Sequence, residues 1–141
     1  MIAGLYQFLE TMGFSHPLHP IVVHLPMGLV IGAVIFSLTG FVFKNQQLDK
    51  TAFHCVVLAL IFMVPTLITG ALDWAGYQLG SWKEPIIIIK IILALLLTGL
   101  LVTAVMAKLK GASSTRMLVI YLLCMACAGG LGFLGGELVY G

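Results

Sequence analysis

Four stretches of this chain stay apolar for longer than a strand or an ordinary core helix requires. Ile21 to Phe43, Ala52 to Leu72, Ile86 to Ala107 and Met117 to Gly136 each reach the roughly 20 residues that carry a helix across the hydrocarbon core of a bilayer. The run Ile86 to Ile89 is β-branched and would suit a buried strand in water. In lipid the backbone must satisfy its own hydrogen bonds, so at this length the helix wins. With short connections, the expected fold is all-α: an integral membrane up-down four-helix bundle, a single domain over residues 1–141.

Composition agrees, and it excludes other classes. Apolar residues make up 61% of the 141 and charged residues 9%, with a mean hydropathy of +1.15; a soluble domain carries about a quarter charged residues. Such a chain cannot cover a water-facing surface, which rules out a soluble enzyme. Seven Lys and Arg scattered along the sequence make no basic stripe, so nucleic acid is not an expected partner. Three cysteines are too few for a disulfide framework. Cys124 and Cys127 form a C-x-x-C inside an apolar helix, with no visible cation or helix N-terminus to stabilise a thiolate, and read as packing residues.

The connections orient the bundle. Lys44, Lys50, Lys108, Lys110 and Arg116 lie in the first and third, against Lys83 and Lys90 on the opposite side. Basic residues in short loops stay in the cytoplasm. Both termini are therefore expected on the periplasmic side of a bacterial inner membrane. The first fifteen residues lack a basic n-region and a cleavage-type end, so they do not read as a signal peptide. Ile2, Leu5, Leu9 and Met12 recur at helical spacing, which predicts an amphipathic interfacial helix over about 2–13, ended by Gly13. Pro65 is expected to kink the second span and free a carbonyl near Ile61. Pro85 suits the first turn of the third. Gly28 with Gly32, and Gly132 with Gly136 and Ala128, predict close helix contacts. The glycines at the outer end of the fourth span leave open a second use, room for a flat ligand.

The polar residues separate by side. His16, His19 and His24 stand at the outer entrance of the first span, Asp73 at the outer end of the second, and Glu137 at that of the fourth. Ionisable groups are costly at membrane depth, which makes this cluster the first candidate for chemistry. In His16-Pro17-Leu18-His19-Pro20 each proline pushes the histidine before it toward extended geometry. In a three-residue polyproline turn His16 and His19 would then project to one side, an arrangement that suits a metal ion or a haem iron and equally a rigid, capped entry to the bundle. Pro26 leaves the Val22 carbonyl without a helical donor, and His24 is expected to find a local partner. Asp73 and Glu137 read as outer-shell partners of a histidine ligand, or as interfacial residues paired with Lys90.

The run His16-Pro17-Leu18-His19-Pro20 with Val23-His24-Leu25-Pro26-Met27-Gly28 closely resembles the opening signature of a family of small four-helix bacterial membrane proteins of unknown function. Gly70-Ala71-Leu72-Asp73-Trp74 and Gly135-Gly136-Glu137-Leu138-Val139-Tyr140 resemble its later motifs. Members of that family occur fused to, or encoded beside, c-type cytochrome and Rieske-type domains, so the resemblance implies a place near respiratory electron transfer. Relatives commonly continue past the final tyrosine to a further His-Gly, where this sequence reads Tyr140-Gly141. Any haem here is therefore expected to use His24 with His16 or His19, or a ligand from another subunit.

Three functions remain in view. The first is a membrane subunit of a respiratory-type electron-transfer system holding haem b through His16, His19 or His24, since haem iron is commonly held by histidine. His54 enters from the opposite face, with nearly the whole core of about 30 Å between it and His24. The second is a structural or anchoring subunit that docks other membrane or periplasmic redox subunits, or further copies of itself, within the lipid bilayer. The third is a metal-ion site built from His16, His19 and His24. No serine or cysteine nucleophile has a visible base, so enzymatic chemistry by this chain alone is not expected.

Overall fold

The computed structural model describes residues 2–13, 19–77 and 85–140. It contains α1 (Ile2–Thr11), α2 (His19–Phe43), α3 (Gln46–Tyr77), α4 (Pro85–Leu109) and α5 (Ser114–Tyr140), with no strand among the described residues. Helices α2 to α5 are long and apolar enough to cross a membrane. They contain the expected spans 21–43, 52–72, 86–107 and 117–136. α2 packs along α3 and α4 along α5; α2 also meets α5, and α3 meets α4. This is the up-down ring of four. α1 rests against α3 and stops where Gly13, at φ 83°, donates its N–H to the Glu10 carbonyl at 2.9 Å.

The helix ends are set by capping rather than hydropathy. α2 closes with Lys44 in the left-handed region, φ 51°, and the Asn45 N–H reaching the Gly40 carbonyl at 2.9 Å, a Schellman turn. Asn45 then caps α3, its Oδ1 accepting the Gln47 N–H at 2.9 Å. α3 therefore begins six residues before its apolar stretch. Gly111, φ 79°, closes α4 in the same way, with the Ala112 N–H on the Ala107 carbonyl at 3.0 Å. α3 is continuous across Pro65. Thr66 and Thr69 return their hydroxyls to the Phe62 and Pro65 carbonyls at 2.7 and 2.9 Å, which satisfies polar groups that lipid cannot.

The interior mixes alanine and valine with Leu97, Leu101, Met63, Met117 and Tyr121, while many large apolar side chains face outward. On α3 the buried positions are Ala52, Val56, Ala59 and Met63; on α5 they are Met117, Tyr121, Cys124 and Ala128. The alternating four-and-three spacing is that of a left-handed helical seam. Ile31, Ile35, Leu95, Leu96 and Phe133 are exposed, as a lipid-facing surface requires. Of the expected small-residue contacts, those at Gly132 and Ala128 are made: a Cβ on Gly132 would stand 2.8 Å from Met27 Cε, and Ala128 is buried. A Cβ on Gly28, Gly129, Gly135 or Gly136 would meet nothing within 4 Å, and one on Gly32 would meet only Cys55 Sγ at 3.7 Å. Tight approaches also occur at Gly40 and Gly70.

Candidate functional site

The seams of α2 and α3 run antiparallel, and each becomes polar at its ends. Along α3 the stripe Asp49, Ala52, Val56, Ala59, Met63, Thr66, Gly70, Asp73 keeps one spacing throughout. Along α2 the matching stripe is His19, Val23, Pro26, Val30, Ala33, Ser37, Gly40. The histidine end of the bundle is therefore where His19 meets Thr66, Gly70 and Asp73.

Three contacts hold His19. Its backbone N–H donates to Asp73 Oδ2 at 2.6 Å, so a carboxylate on α3 caps the first turn of α2, where helical N–H groups lack partners and negative charge is favourable. The ring Nδ1 lies 3.0 Å from the Thr66 carbonyl. A carbonyl only accepts, so Nδ1 carries the proton, and in the neutral imidazole Nε2 keeps its lone pair. The ring lies against Gly70, where a Cβ would sit 3.1 Å from Nδ1 and 3.2 Å from Cε1. Asp73 is 2% exposed, and His19 is half-buried. The ammonium of Lys90 on α4 and the carboxylate of Asp73 both act electrostatically on the ring.

This geometry revises parts of the sequence reading. α2 begins at His19, whereas Pro20 was expected to push that residue out of the helix. Proline is tolerated in a first turn because its missing N–H would have had no helical partner, and here Asp73 supplies the cap. Asp73 grips the backbone of His19, and the Thr66 carbonyl fixes the ring proton in its place. His24 lies five residues on, about 140° around the helix and about 7.5 Å along it. Its side chain is exposed and makes no hydrogen bond among the described residues, because lipid, not protein, faces that side of α2. Glu137 is exposed at the end of α5 and forms no hydrogen bond among the described residues. His16 and Lys83 lie outside the described residues. Among the described residues no three His, Cys, Asp or Glu side chains converge as a metal-ion set.

Two participants escaped the sequence reading. Thr66 acts through its main chain, which no side-chain motif announces. Gly70 and Asp73 sit four and seven residues beyond Thr66, so their shared face was readable from helical spacing. The opposite end of the seam was also missed: Asp49 Oδ2 accepts the Ser114 hydroxyl at 2.7 Å, and a Cβ on Gly40 would stand 2.8 Å from Asp49 Oδ1.

Residues 15–141 match the model of a family described as "Predicted membrane protein (DUF2231)", which bears out the resemblance carried by the histidine-proline signature. No curated protein and no solved structure matches.

Proposed function

We propose, for a chain that belongs to the DUF2231 family of predicted membrane proteins, that it is a small membrane subunit of a respiratory-type electron-transfer system in which His19 offers Nε2 to a b-type haem at the histidine end. The observation that carries this reading is the 3.0 Å hydrogen bond from Nδ1–H to the Thr66 carbonyl. Ligating histidines are commonly held in this way, by a carbonyl that fixes the tautomer and raises the basicity of the other nitrogen. A zinc-type site asks for three or four side chains. Haem iron needs only axial donors, so a single braced histidine among the described residues suits haem better. When bound, haem supplies reversible one-electron transfer. The residues of this chain hold the donor: Thr66 sets the ring proton, Gly70 makes room for the ring, and Asp73 anchors the backbone beneath it. A second donor to the haem would have to come from His16 or another subunit, since His24 stands on a different face of α2. In this reading the basic end faces the cytoplasm of a bacterial inner membrane and both termini are periplasmic.

The test is an optical spectrum of the detergent-purified protein, oxidised and then dithionite-reduced, with pyridine haemochrome quantitation. Near-stoichiometric haem b, lost in His19→Ala and retained in His54→Ala, is the expected result. A colourless, folded protein from haem-replete cells would sink the electron-carrier reading for this chain.

A second reading has its own observation. Asp73 is engaged with the His19 backbone, a clasp between α2 and α3 that functions without any cofactor. A structural or anchoring subunit would need no more. It predicts a colourless chain that co-purifies with redox subunits, with His19→Ala lowering its stability and leaving those partners bound.

A further inference from the structure

At the basic end, α4 runs out at Leu109 and α5 begins at Ser114. Between them an open-sided pocket of about 620 Å³ is lined by Ala107, Lys110, Ala112, Ser113, Arg116 and Ile120. Pockets of a few hundred cubic ångströms accommodate small ligands. This one is divided by chemistry. Lys110 and Arg116 are exposed side chains, while Ala107, Ala112 and Ile120 make the lining apolar. No acidic residue occurs from Lys108 to Arg116, and among the described residues neither cation has a carboxylate within ion-pair distance. The nearby Asp49 is engaged by the Ser114 hydroxyl at 2.7 Å. The pocket lies at the ends of apolar membrane-length helices, where Leu109 and Val119, next in sequence to the lining residues Lys110 and Ile120, are 71% and 52% exposed.

We propose that this pocket binds the phosphate of an anionic phospholipid headgroup, with Arg116 and Lys110 on the phosphate and the glycerol end of the acyl chains against Ile120. Arginine pairs phosphate through two parallel hydrogen bonds, and lysine adds a point charge. A free inorganic phosphate shares that chemistry but gains nothing from an apolar lining that leads to a lipid-facing surface. The site is independent of any cofactor at the histidine end.

Native mass spectrometry of the full chain, titrated with phosphatidylglycerol and with phosphatidylcholine of the same acyl composition, tests this. Phosphatidylglycerol should bind about tenfold more tightly. Lys110→Gln/Arg116→Gln should abolish that preference, and Lys44→Gln/Lys50→Gln, which removes the same charge from the same end, should leave it within about threefold. Arg116→Lys, which keeps the charge, should weaken binding through loss of the paired hydrogen bonds. Equal losses in both double variants would mean diffuse attraction and overturn the assignment. An undiminished preference in the Lys110/Arg116 variant would do the same. Displacement of the lipid by millimolar inorganic phosphate would reassign the pocket to a free anion.

Discussion

Asp73 is almost wholly removed from solvent, a costly place for a carboxylate unless its oxygens are engaged. Its 2.6 Å bond from the His19 N–H joins a negative charge to a helix N-terminus, and hydrogen bonds to charged groups contribute about 1.5–3 kcal/mol. Asp73→Ala should therefore lower the unfolding midpoint in detergent. Asp73→Asn should lose less, since an amide oxygen accepts the same N–H. Gly70 acts by being small. Its Cβ would stand 3.1 Å from the imidazole, so Gly70→Ala displaces the ring at a cost of about 1–3 kcal/mol. Gly28→Ala, facing open space, should stay within about 0.5 kcal/mol of the parent. Thermal unfolding of the two alanine variants side by side checks this, and equal midpoints would remove Gly70 from the site. The distinction between these glycines was hidden in the sequence, where Gly28 and Gly32 carried the more familiar packing motif.

On α2 and α3 the buried stripe is less bulky than the exposed surface, with Ala33, Ala52 and Ala59 inside and Ile31, Ile35 and Ile61 outside. Hydropathy cannot find that stripe, because both faces are apolar; on α3 it is marked by Ala52 and Ala59, seven residues apart. Ala59 is 0% exposed and Leu95 63%. Ala59→Leu should destabilise the bundle by about 1–3 kcal/mol through overpacking, whereas Leu95→Ala should be tolerated, as denaturation in a fixed detergent will report. The helix ends respond to a different rule. Lys44 holds φ 51°, a region that costs an L-residue about 1 kcal/mol and glycine almost nothing. Lys44→Gly should raise the unfolding midpoint, and a fall would mean that the lysine side chain contributes more than its backbone strain costs. The start of α3 at Gln46 was not legible from apolar length, because the Asn45 cap determines that end.

The seam has a polar contact at each end, His19 with Thr66 and Asp73 at one and Ser114 with Asp49 at the other, where Gly40 packs closely against Asp49. The second joins three helices, since Gly40, Asp49 and Ser114 belong to α2, α3 and α5. At this scale the proposed orientation becomes testable. The three cysteines, Cys55, Cys124 and Cys127, lie within spans. With them replaced by alanine, a reporter cysteine at Ala112 should react with a membrane-impermeant maleimide only after the inner membrane is opened, and one at Gly4 before. The reverse pattern would invert the topology.

The number of spans, the up-down order, the N-terminal helix and the family followed from the sequence alone, because lipid leaves a backbone few choices and charge marks the turns. Which histidine is held by the bundle did not. His16, His19 and His24 formed one cluster in the sequence, with His24 the residue expected to need a partner at membrane depth. Only the packing of α2 against α3 turned His19 onto Thr66, Gly70 and Asp73 and left His24 facing outward. Five residues along a helix separate two side chains by about 140°, so only one of them can follow a seam that the neighbouring helix defines.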